Sequence, residues 1–130
     1  MNTARIRNSL ALACSTLLLA TACGGGNDDE AGSLTPLSVV PSDVTVSGPV
    51  GFCPGAGQVM TVTIYGGTAP YRLDNAFPLL LSTDTASVGD RGGKFTVTSR
   101  GTGCLDKGSI VVRDKNERNV IVTVTLEKGT

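Results

Sequence analysis

Near the carboxyl end, Val120-Ile121-Val122-Thr123-Val124-Thr125-Leu126 sets Val120, Val122, Val124 and Leu126 against Ile121, Thr123 and Thr125. A period of two places the first set on one face of an extended strand and the second on the other, a sorting that no helix produces. The pattern recurs upstream. Met60, Val62 and Ile64 oppose Thr61, Thr63 and Tyr65, Phe95 and Val97 point inward from Lys94-Phe95-Thr96-Val97-Thr98, and Ile110 and Val112 mark another strand. Shorter apolar pieces stand at Tyr71-Arg72-Leu73, at Leu79-Leu80-Leu81 as a brief edge strand, and weakly at Val88. Turn residues separate them: Gly66-Gly67-Thr68-Ala69-Pro70, residues 75–78, Gly89-Asp90-Arg91-Gly92-Gly93, Gly101-Thr102-Gly103-Cys104 and residues 114–119. Leu37-Ser38-Val39-Val40 and Val44-Thr45-Val46 read as a first strand broken by Pro41, as in an edge strand that changes sheets. About seven strands at intervals of about 8–12 residues predict an all-β fold, an antiparallel sandwich, with a small barrel as the alternative architecture.

Composition narrows the chemistry. His and Trp are absent, and Lys plus Arg (11) equals Asp plus Glu (11), so no basic face is available for nucleic acid. Without His, a nucleophile–histidine pair is excluded and zinc is a poor fit. Asp74, Asp84, Asp90 and Asp106 all stand in turn contexts, where Asp bonds its own backbone, so no catalytic pair is assigned. Oxygen ligands gather at Asp84 and Asp90 and at Asp114, Asn116 and Glu117, without EF-hand spacing, so no metal site or cofactor is assigned. Arg113, Lys115 and Arg118, mixed with Asp114 and Glu117, read as a solvated hairpin tip.

The amino-terminal segment has its own design. Arg5 and Arg7 precede a run of 13 apolar or small residues from Leu10 to Ala22. This is the layout of a secretory signal, and it is short of the roughly 20 residues a membrane-spanning helix needs. Leu17-Leu18-Leu19-Ala20-Thr21-Ala22-Cys23 resembles the lipobox of bacterial lipoproteins. The resemblance implies cleavage before Cys23, lipidation of its sulfur and acylation (typically palmitate) of the new amine, hence anchorage in the cell envelope. Gly24, in place of an Asp, leans toward the outer membrane. Gly24-Gly25-Gly26-Asn27-Asp28-Asp29-Glu30 reads as a solvated tether. The expected organisation is a signal peptide over residues 1–22, lipidated Cys23 and tether over 23–35, and one folded domain over 36–130.

Of four cysteines, Cys14 leaves with the signal and Cys23 carries lipid, which leaves Cys53 and Cys104 as an even pair in an oxidising compartment. No C-x-x-C spacing supports redox chemistry, so a structural disulfide is expected. The remaining chain resembles the bacterial immunoglobulin-like repeats of surface proteins and lipoproteins. The resemblance rests on Tyr65-Gly66-Gly67-Thr68-Ala69-Pro70-Tyr71, Gly92-Gly93-Lys94-Phe95-Thr96-Val97 and Ile110-Val111-Val112-Arg113-Asp114. It implies an immunoglobulin-like β-sandwich, with Cys53 and Cys104 in connections at one pole. Loops at the other pole, over residues 66–70, 83–86 and 114–119, would then be free. Gly66, Gly67, Thr68, Tyr71 and Asn116 become candidate binding residues there, with the two tyrosines read mainly as packing residues. The expected function is a non-catalytic binding or structural module held to a membrane through Cys23, meeting an envelope protein or surface ligand. The alternative is an accessory subunit of an envelope assembly that docks by β-augmentation through the first strand or through residues 120–126. An enzyme is the remaining class.

Overall fold

The computed structural model describes residues 35–130; the expected signal peptide, Cys23 and all but the last residue of the tether lie outside it. No helix occurs among the described residues. Nine strands follow in order: β1 Ser38–Val40, β2 Asp43–Val50, β3 Ala56–Tyr65, β4 Tyr71–Asn75, β5 Leu81–Thr83, β6 Ser87–Val88, β7 Lys94–Arg100, β8 Leu105–Arg113 and β9 Asn119–Gly129. They form a four-stranded sheet, β1-β3-β7-β5, and a five-stranded sheet, β2-β9-β8-β4-β6. The architecture is the expected immunoglobulin-like sandwich. Every pairing is antiparallel except β2 with β9, which run parallel.

Alternation built the core as it should. Met60, Val62, Ile64, Phe95 and Val97 from one sheet meet Tyr71, Leu73, Ile110, Val112, Val122, Val124 and Leu126 from the other, all buried. Each such side chain contributes about 1.5–3 kcal/mol relative to exposure. On the outer faces stand the opposing residues, Thr61, Tyr65 and Ile121 among them. The chain changes sheets at Pro41–Ser42, so β1 pairs with β3 while β2 pairs with β9. Sequence alternation counts these two pieces as one broken strand.

Several expectations need correction. Only Leu81 of the three leucines belongs to a strand; Leu79 and Leu80 form a turn in which Leu80 N and Leu81 N donate to Phe77 O, and Leu79 is 81% exposed. β5 is an edge strand, as expected. Val88 ends a two-residue strand and is buried beside β4. The strand over residues 120–126 is not an edge strand: β9 lies between β2 and β8, and β2 covers it from Thr123 onward.

Candidate functional site at the poles of the sandwich

Cys53 follows β2 and Cys104 precedes β8, so each lies in a connection that crosses from one sheet to the other. Their sulfurs are bonded, with Cα atoms 5.0 Å apart and a sequence separation of 51. This end of the sandwich is the disulfide pole. The β4–β5 turn reaches it too: Arg100 N donates to Leu80 O, and Thr102 Oγ1 donates to Leu79 O at 2.8 Å. Ala76, Phe77, Pro78, Leu79, Leu80 and Thr102 line an open cavity of about 480 Å³ there. Val50, Phe52 and Leu79 are exposed at this pole, Phe52 at 70%.

The opposite pole is also closed, by a carboxylate. Asp114, 1% exposed, directly follows β8 and sits beneath the 66–70 turn. Its Oδ2 accepts from Thr68 N at 2.9 Å and from the Arg118 guanidinium, with Nε at 2.9 Å and Nη2 at 2.8 Å. Its Oδ1 accepts from the backbone N–H groups of Asn116 and Arg118, both at 2.9 Å. Burial alone pushes this carboxyl up, but the donors from Arg118, Thr68 and Asn116 outweigh it and hold its pKa below the ordinary value. The two loops are joined further by Lys115 N to Thr68 O and by Asn116 Nδ2 and Arg118 Nη2 to Thr68 Oγ1.

Gly66 and Gly67 allow this closure because both have left-handed φ, +62° and +63°. A β-carbon on Gly66 would overlap the carbonyl of Pro36, and one on Gly67 would crowd Leu37 and Asp114. Tyr71 is fully buried and its hydroxyl donates to Gly66 O at 2.6 Å. Burial raises the Tyr71 phenol above its ordinary pKa, with the Asp114 charge adding to this against the opposing effects of Arg91 and Arg118.

The candidate binding residues Gly66, Gly67, Thr68, Tyr71 and Asn116 are thus brought together, but four of them are engaged in holding their own loops. The hairpin tip is not simply solvated, since Asp114 is its buried hub. Glu117, with φ +62°, fits the expectation better. It accepts from Arg113 at 3.0 Å and from Arg72 at 2.9 Å on the surface, and these partners, Arg113 first, hold its pKa below the ordinary value. Residues 84–86 do not belong to this pole. They cross between sheets along the side of the sandwich, where Asp84 N donates to Thr96 O, Asp84 Oδ1 accepts from Thr96 N, and Leu73 N donates to Ala86 O.

Both Asp114 oxygens are taken up by N–H donors, which removes this carboxylate from a calcium site with Asn116 and Glu117. Among the described residues, no three Cys, Asp or Glu side chains gather as a metal site. Sequence reasoning placed Asp114 in a solvated hairpin tip and missed its role as a buried hub. The available signal was its spacing of four residues from Arg118, in a turn next to a strand rich in buried aliphatics.

The same pole receives the chain from its amino-terminal side: Gly67 N donates to Thr35 O at 3.2 Å. Its distance from the disulfide pole is the length of β3, 10 residues or about 33 Å. Compared with protein-family models, with curated proteins and with solved structures, the chain matches none.

Proposed function

We propose that the chain is a lipid-anchored envelope lipoprotein whose sandwich is a non-catalytic binding or structural module, with Cys23 as the lipidated residue. The observation that carries the reading is where the chain enters. Thr35 lies at the Asp114 pole, so a lipid on Cys23 would hold that pole toward the bilayer, most simply the outer membrane. Thr35 is twelve steps along the chain from Cys23, at most about 40 Å when fully extended. The disulfide pole, with exposed Val50, Phe52 and Leu79, then faces away. Recognition by loops on a rigid scaffold is better served there than by Thr68 and Asn116, whose side chains bond within the domain.

The test is the intact mass of membrane-extracted protein, together with fractionation of Cys23→Ser. A chain that begins at Cys23, carries acyl mass and becomes soluble in the variant is expected. A full-length, unacylated chain overturns the anchor. A second reading, an accessory subunit docking by strand addition, is favoured by the open sheet edges at β1, β2 and β3.

A further inference from the structure

β3 has ten residues, and only one side of it is fully paired. Facing β7 it is paired from Ala56 to Thr63, with a bulge between Gln58 and Met60. Facing the other way it meets β1 at Thr63, Ile64 and Tyr65 only. At Pro41 the chain leaves this lane for the other sheet, and among the described residues no strand takes its place beside residues 56–62. Ladder bonds alternate between the two sides of a strand. Ile64 N donates to Gly93 O on the β7 side, so two residues' alternation puts Val62 on that side as well and aims the amide and carbonyl of Thr61 into the vacated lane.

The lane is backed by a cleft of about 510 Å³ between β2 and β3, among whose lining residues are Val46, Gly48, Pro54, Gly57 and Val59. The glycines contribute no side chains to fill it. Proteins ordinarily guard an open edge with charge. Here the 28 residues from Val44 to Tyr71, which include all of β3 and all of β2 but its first residue Asp43, contain no Asp, Glu, Lys or Arg. An acidic or basic segment would find no counter-charge on these two strands beyond Asp43 at the start of β2. An uncharged extended segment would find backbone donors and acceptors at the rim and a mixed surface behind them, apolar at Val46 and Val59 and neutral polar at Ser47, Gln58 and Ser99.

We propose that this lane is a strand-docking site, and that its occupant is an uncharged extended segment of a partner protein with apolar residues at alternate positions. The segment continues the line of β1 and adds its backbone to β3, with alternate side chains over Val46 and Val59. The proposal rests on the strand-addition reading and moves its docking edge to β3 from the first strand with its Pro41 break and from residues 120–126.

The test uses the folded domain and a capped peptide of alternating threonine and valine. Amide exchange is followed residue by residue, and affinity is followed with labelled peptide. Exchange at Thr61 slows at least tenfold on saturation. Thr61→Pro removes no β3–β7 ladder bond, so it keeps the melting transition and weakens peptide binding at least tenfold. Ala56→Lys, an exposed position at the cleft, weakens binding likewise and serves if the proline variant does not fold. Protection confined to β5 or β6 overturns the lane while leaving strand addition intact; no protection on any edge overturns both. Concentration-dependent protection of Thr61 without peptide makes a second copy the occupant and overturns the partner assignment.

Discussion

At one pole of the sandwich, two sheet-crossing connections are joined by the Cys53–Cys104 bond; at the other, two loops are joined by the carboxylate of Asp114. The first tie is covalent and acts by restricting the unfolded chain. The second is a set of charge-assisted hydrogen bonds and exists only while Asp114 is ionised and Arg118 is in place. One responds to reductant and ignores pH, while the other does the reverse. A domain of this size gains little margin from its core alone, and two ties of unlike chemistry mean that no single condition opens both poles.

The largest effect is expected from the covalent pole. Closing a loop of this length is worth about 4 kcal/mol by the chain-entropy model. The double change Cys53→Ser/Cys104→Ser therefore lowers the thermal midpoint by about 20 °C. Reductant brings the parent protein to the same midpoint and leaves the variant unchanged. A drop of only a few degrees would show that the core and the Asp114 pole carry the domain alone.

Next comes Asp114→Asn, expected to cost about 2–3 kcal/mol because buried donors lose a charged acceptor. Its pH dependence sharpens the comparison. The folded pKa of Asp114 lies below its unfolded value of 3.8, so its contribution is complete above that value and is lost as pH falls through the folded pKa. Thermal midpoints of the parent should fall in that acid window more steeply than those of the variant. Equal slopes would remove Asp114 as the acid-sensitive tie. The smallest effect is Tyr71→Phe, which deletes the hydrogen bond to Gly66 O at a cost of about 1 kcal/mol. Faster amide exchange at Gly67 should accompany it, because Gly67 is held by Thr35 in the same turn.

How much of this could be read from the sequence depends on whether the signal is local. Strand faces are local: Val62, Val97, Val112 and Val124 sit one residue from polar neighbours, and all are buried. The sheet switch was legible because proline marks it at Pro41. The disulfide was legible by counting the cysteines that remain once Cys14 and Cys23 are set aside. Asp114 was not, because Asp, Lys, Asn, Glu and Arg in succession have the composition of a solvated turn, and burial came from a loop 46 residues earlier in sequence. Nor was the position of β9. Alternation says which side of a strand is wet, but its lateral neighbours follow from β2 crossing over to lie beside it. The three leucines misled for a related reason: apolar content suggested a strand, while the turn closed by Phe77 O left Leu79 in solvent.

The parallel pairing of β2 with β9 has a mechanical consequence. Thr35 lies at the Asp114 pole, and Gly129, whose N–H donates to Phe52 O, lies at the disulfide pole. Tension applied across the two ends of the domain runs along the strands and loads the β2–β9 ladder in shear, so its hydrogen bonds bear the force together and are not peeled one at a time. Should that ladder give way, the 51-residue separation spanned by the disulfide cannot pay out. Only the chain outside the Cys53–Cys104 ring, with β1, β2, β8 and β9, can lengthen, which caps how far the domain can extend.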